Sequence, residues 1–124
     1  LKDRFDIEIF EAHHRHKKDA PSGTAKRLLE IIQSSASELK GFRAIDGRSG
    51  IIGERSKDEI GMMVLRGGDI VGEHTVYFVG EGERLELTHK ASSRNNFAFG
   101  AVIGIEFLIG RHPGMYTMFD VLGF

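Results

Sequence analysis

The chain has 124 residues, a length for one domain rather than two. Its 17 basic and 18 acidic side chains leave a formal net charge of -1, so no global field draws it to nucleic acid or to a membrane surface. It has no cysteine, which excludes a disulfide scaffold, a thiolate nucleophile and a cysteine metal site. No apolar run approaches the ~20 residues of a membrane span, and the opening LKDRFDIEIF lacks the pattern of a signal peptide. A protein of this kind is expected to be soluble and cytoplasmic.

Residues 5–11 alternate, with Phe5, Ile7 and Ile9 on one side and Asp6, Glu8 and Phe10 on the other, which suits a half-buried strand. A polar run from His13 ends it, and Pro21-Ser22-Gly23-Thr24 makes a turn into a helix that either Ser22 or Thr24 can cap. Ala25, Leu28, Leu29, Ile32, Ala36 and Leu39 then recur at helical spacing, predicting a helix over about 23–39. The glycine-rich, charged stretch 46–59 (DGRSGIIGERSKDE) reads as a flexible loop. Strands are expected near 61–66, 70–79 and 84–90, the last two joined as a hairpin through Gly80-Glu81-Gly82-Glu83. Ser92, Ser93 and Asn95 are possible caps for a last helix at about 95–110, ended by His112-Pro113-Gly114 and followed by a short tail. The order β-α-β-β-β-α predicts an α+β domain: a small mixed, largely antiparallel four-stranded sheet with helices on one face. The other face is then available for oligomerisation, and the apolar residues on both faces of the strand at 70–79 (Val71, Tyr77 and Val79; Val76 and Phe78) favour self-association.

Candidate chemistry concentrates in EAHHRHKKDAPSGTA at 11–25. Three of the six histidines fall within His13 to His16, beside Arg15, Lys17 and Lys18. His13 and Lys17 are four apart, as are His14 and Lys18, so a helical turn here would put each pair on one face. Histidine trades protons near neutral pH, and a lysine crowded by cations is a better acid. Ser22, Gly23 and Thr24 open the helix, where free backbone N–H groups and the helix dipole favour an anion. Such a segment suits a substrate that carries carboxylates and gains a proton. On composition alone, clustered histidines are more often a solvated surface loop than a site, and a Pro-Ser-Gly-Thr turn is more often a plain helix start than an anion site. Metal binding by His13, His14 and His16 is disfavoured by the neighbouring lysines and the lack of an HExxH pattern, so no metal site is expected. The glycines of GRSGIIG neither follow a strand nor open a helix, so they make no dinucleotide fingerprint. His74 and His89 lie in strands and read as structural.

The runs Glu11-Ala12-His13-His14-Arg15-His16-Lys17 and Asp19-Ala20-Pro21-Ser22-Gly23-Thr24-Ala25 resemble the signature of the dihydrodipicolinate reductase family. The resemblance continues through Arg66-Gly67-Gly68-Asp69-Ile70-Val71-Gly72-Glu73-His74-Thr75-Val76, through GERLELTHKASSRNNFAFGA at 82–101, and through Phe119-Asp120-Val121-Leu122. It covers nearly the whole chain; Lys18, where the family pattern has an aliphatic residue, is a small departure. The resemblance implies His13 as proton donor/acceptor, Lys17 as proton donor, and His14, Gly23 and Thr24 as holders of the substrate carboxylates, with Ser22 beside them. It also implies hydride transfer from NADH or NADPH to a cyclic imine dicarboxylate in lysine and diaminopimelate synthesis, by a homotetramer built through sheets of this domain. Members of the family begin with a Rossmann domain. Residues 1–124 are therefore expected to be the substrate-binding and oligomerisation domain alone, inactive by itself and holding no cofactor, with 112–124 a tail returning toward the missing half. Two other functions stay open: a non-catalytic homo-oligomerisation module, and a histidine-rich metal binder.

Overall fold

A computed structural model describes residues 4–124, apart from the side chain of Glu38. The chain divides into two compact units, the first ending at Ser92 and the second spanning Ser93–Phe124.

The first unit is built on a five-stranded sheet of β1 (Asp6–His13), β2 (Arg43–Asp46), β3 (Glu59–Arg66), β4 (Gly72–Gly80) and β5 (Glu83–Ala91), in the order β2-β3-β1-β4-β5. The α+β class is as expected, but the sheet is neither four-stranded nor largely antiparallel. Two of its four pairings, β2 with β3 and β3 with β1, are parallel. The overlooked strand, Arg43-Ala44-Ile45-Asp46, is short and mostly exposed, with no apolar alternation to reveal it. It exists because β3 offers it a ladder at the sheet edge. Parallel neighbours need long crossovers, supplied here by α1 (Gly23–Ser35) between β1 and β2 and by the irregular stretch 47–58 between β2 and β3.

Alternation along β1 sends Ile7 and Ile9 to the face covered by α1, where they meet Ala25, Ile32, Ile60, Met62 and Val76 in the core. Ile7, Ile9, Ala25 and Ile60 are essentially inaccessible to water, and burying a side chain such as isoleucine contributes roughly 1.5–3 kcal/mol. α1 is shorter than its apolar spacing implies. The hydroxyls of Ser34 and Ser35 bond back to the carbonyls of Ile31 and Ile32 at 3.1 and 2.8 Å, and Ala36 is extended (φ -147, ψ 142). A separate 3-10 turn, Ser37–Leu39, returns Leu39 to the core.

On the other sheet face, Glu8 accepts two hydrogen bonds from Arg48 at 2.8 Å and one from Arg55 at 3.0 Å, while Arg48 also reaches Glu59 at 2.7 Å. Arg55 further donates to the carbonyls of Ile7 and Glu59. The 46–59 stretch lacks regular structure beyond its two ends, as expected, but these arginines tie it to β1 and β3.

The second unit contains α2 (Asn95–Leu108) and α3 (Met118–Leu122). α3 was not expected; it lies in the stretch read as a tail. Its Thr117 and Asp120 form a reciprocal capping box, and Gly123 closes it with φ +77. Gly110, also left-handed at φ +76, follows the end of α2, two residues short of the expected stop at His112. The N-cap of α2 is Arg94, whose side chain makes no capping bond; of the possible caps, Ser93 accepts from the N–H of Asn95 at 3.2 Å. Among the described residues no helix is long and apolar enough to cross a membrane.

Candidate active site

The carboxyl ends of β1 and β3, the start of β4 and the N-terminus of α1 meet at one edge of the sheet, the usual place for a ligand in a sheet with parallel strands. Glu11 follows Ile7 and Ile9 on the α1 face, so strand alternation carries a carboxylate into the core, where it is 1% exposed. It accepts from Arg66 through both oxygens at 2.7 and 2.8 Å, and from the backbone N–H of Ser22 at 2.9 Å. His13 Nδ1 lies 2.6 Å from its Oε2. Burial alone would raise the Glu11 pKa. The bonds from Arg66, His13 and Ser22 outweigh it and hold the carboxyl at about 2, so it is ionised at neutral pH.

Arg66 also donates to the carbonyls of Leu65 and Asp19, which fastens the loop 14–22 to the end of β3. Ser22 is buried; its hydroxyl caps α1 by accepting from the N–H of Ala25 at 3.2 Å and lies 3.1 Å from His74 Nε2. The His74 ring meets the His13 ring edge to face, with centroids 5.1 Å apart. Burial, and then the neighbouring His13, lower the pKa of His74, which favours the neutral form of this second imidazole.

The structure therefore joins His13 and Ser22 through Glu11. Ser22 spends its N–H on that carboxylate, so the helix start offers an anion the N–H groups of Gly23 and Thr24, both exposed, with open space beside Gly23. The loop 14–22 is not a helical turn, because His13 still belongs to β1; the i, i+4 geometry expected for His13 and Lys17 is absent. Lys17 pairs instead with Asp19 at 2.8 Å, and its backbone N–H closes a turn on the carbonyl of His14. Among the described residues no hydrogen bond or ion pair links His13 to Lys17 or His14. A hollow of about 340 Å³ beside Ala20 and Pro21 is lined by neither His13 nor Lys17. Among the described residues no three His, Asp or Glu side chains gather in a metal-binding arrangement.

Sequence reasoning gave no role to Glu11, Arg66 or His74. The signal for Glu11 was present: a charge at the third position of an Ile7, Ile9 alternation must be buried, and a buried charge needs a partner. The identity of that partner is decided by register, since His13 pairs with Arg66 and Glu11 with His74 across the two neighbours of β1.

A family model described as dihydrodipicolinate reductase, C-terminus, matches residues 1–122. The chain belongs to the dihydrodipicolinate reductase family. It is 58% identical over 124 residues to the 4-hydroxy-tetrahydrodipicolinate reductase of Aquifex aeolicus, covering 99% of this chain and 45% of that protein. It is 58% identical over 118 residues to the enzyme of the same name from Akkermansia muciniphila, covering 95% and 48%. A solved, dipicolinate-bound dihydrodipicolinate reductase from Paenisporosarcina sp. TG-14 superposes with a TM-score of 0.59 at 28% identity, covering 82% of this chain and 38% of that one. The chain thus spans just under half the length of these curated reductase relatives, and the match is to their C-terminal part.

Proposed function

We propose that this chain is the substrate-binding and proton-donating part of a reductase that converts 4-hydroxy-tetrahydrodipicolinate to tetrahydrodipicolinate in lysine and diaminopimelate synthesis in the cytoplasm. The observation that carries the reading is the placing of His13, anchored through Nδ1 to an ionised carboxylate, at the edge where α1 presents its first N–H groups. In this reading Gly23 and Thr24, with Ser22 setting the helix start, hold one carboxylate of a small diacid, and His14 the other. His13 exchanges a proton with the substrate, and Lys17 supplies the proton that completes the reduction. Lys17 pairs with the side chain of Asp19, which is exposed, so a bound diacid can compete with Asp19 for its ammonium group. The dipicolinate held by the Paenisporosarcina relative supports a dicarboxylate ligand.

Reduction needs a hydride donor, NADH or NADPH in this reading. Among the described residues no strand–GxGxxG–helix unit occurs, and the β1–α1 crossover carries Ser22-Gly23-Thr24 instead. These residues do not fit a dinucleotide, and the hydride step belongs to another part of the enzyme. Self-association to a homotetramer through the face opposite α1 belongs to the same proposal; Met63, Leu65 and Val79 stay 37–42% exposed there.

Titration of the chain with pyridine-2,6-dicarboxylate, followed by NMR, tests the reading. Shifts at His13, Lys17 and Thr24 that saturate with a Kd on the order of millimolar are expected. Unmoved resonances at tens of millimolar ligand, roughly ten Kd, would leave only the oligomerisation module.

A further inference from the structure

The pairing of Glu11 with His13 does more than satisfy a buried charge. An ionised carboxylate only accepts hydrogen bonds, so the His13 nitrogen 2.6 Å from Glu11 Oε2 must carry the proton. That nitrogen is Nδ1. The other, Nε2, makes no hydrogen bond among the described residues, and the side chain keeps 12% of its surface open. Arg66 grips both Glu11 oxygens and fixes the plane of the carboxylate. Ser22 N–H supplies a further bond from the α1 side. On the remaining side the ring lies against Gly72: a Cβ there would stand 3.2 Å from His13 Nε2 and 3.5 Å from Cδ2. The ring is thus set by Glu11 on its own strand, by His74 and Gly72 on β4, and through Glu11 by Arg66 on β3.

We infer that Glu11, clamped by Arg66, is a positioning residue for His13: it locks the proton on Nδ1 and makes Nε2 the atom through which His13 exchanges its proton with the substrate. The inference rests on the proposed reductase reading for the purpose of the lock, though not for its existence. In the exchange, the His13 cation releases the Nε2 proton to the substrate and returns to the neutral Nδ1–H ring. Solvent then restores the Nε2 proton, and Glu11 stays ionised throughout. Were the neutral ring to keep its proton on Nε2 instead, the cation would release its proton from Nδ1, the nitrogen turned to Glu11, and none would pass to the substrate.

The test is the nitrogen NMR spectrum of the chain labelled with ¹⁵N-histidine, recorded at about pH 9, above the ordinary imidazole range. Proton coupling at His13 Nδ1 and a bare, pyridine-type Nε2 are expected. Glu11→Gln, which can present an amide donor to Nδ1, is expected to lose the Nδ1 proton and gain one at Nε2, while Glu11→Asp restores the original pattern. A proton on Nε2 in the unsubstituted chain overturns the inference whether or not any variant folds, and so does an unchanged tautomer in folded Glu11→Gln. Adding pyridine-2,6-dicarboxylate to the same sample separates the two claims. An Nδ1–H ring with no ligand response supports the lock and removes the reductase reading. A ligand response with the proton on Nε2 does the reverse.

Discussion

A carboxylate on the apolar face of a strand has to be neutralised or paired, and Glu11 is paired with a guanidinium, an imidazole and a backbone N–H. Burial works against its charge, yet those partners hold its pKa at about 2, below the 4.5 of the free side chain. Because the folded value is the lower one, the unfolded chain binds the proton more tightly. The stabilisation is complete above about pH 4.5 and is lost as pH falls toward 2. Its size is on the order of 3 kcal/mol. Urea unfolding at pH 7 and at pH 3 is expected to show about 2 kcal/mol of that loss in the unsubstituted chain, since pH 3 still lies above the folded value. A Glu11→Gln chain, less stable at pH 7, is expected to show a smaller difference between the two pH values. At this scale the residues that touch substrate in the proposed reading stood out by type and spacing in EAHHRHKKDAPSGTA. The residues that orient them did not, because Arg66 and His74 reach Glu11 and Ser22 across 55 and 52 positions of sequence.

Elements were legible in proportion to their apolar periodicity. β1, α1, β4, β5 and α2 carry it and were found to within a few residues, whereas β2 and α3 are too short to show it. One glycine in β3 shows how packing selects a residue that no local rule requires. Gly61 has no left-handed torsion, but a Cβ built on it would overlap the Glu8 carboxylate and stand 2.9 Å from Arg48 Nη1. Glu8 cannot simply swing aside, since Arg48 and Arg55 hold it. Gly61→Ala is therefore expected to cost about 1–3 kcal/mol, the usual range for overpacking. Gly67→Ala, whose Cβ would meet only Leu65 Cδ2 at an ordinary 3.7 Å, should stay within about 0.5 kcal/mol. Denaturant midpoints of the two variants measured side by side check this. Equal midpoints would mean that the Glu8–Arg48 pair gives way freely.

The whole molecule is nearly neutral at -1, so under the proposed reading attraction of a diacid would be left to the local cations of the loop 14–22 and to the α1 N-terminus. Such attraction is screened over about 10 Å at 0.1 M salt. Under the proposed reading, calorimetric affinity for pyridine-2,6-dicarboxylate is expected to fall steadily as salt is raised from about 0.01 to 0.15 M, a range over which the screening length shrinks from about 30 to 8 Å. Affinity that does not depend on salt would point to apolar contacts instead. The sequence by itself determined the α+β class, the alternation that buries Ile7, Ile9 and Glu11 together, and the family, because all three follow from residue type and spacing along the chain. Only the tertiary structure decided the five-stranded order, the ending of α1 at Ser35, the pairing of Lys17 with Asp19 and the anchoring of His13 by Glu11 and Arg66. Strand register and side-chain direction are settled by which distant segments pack against one another, and no local pattern encodes that choice.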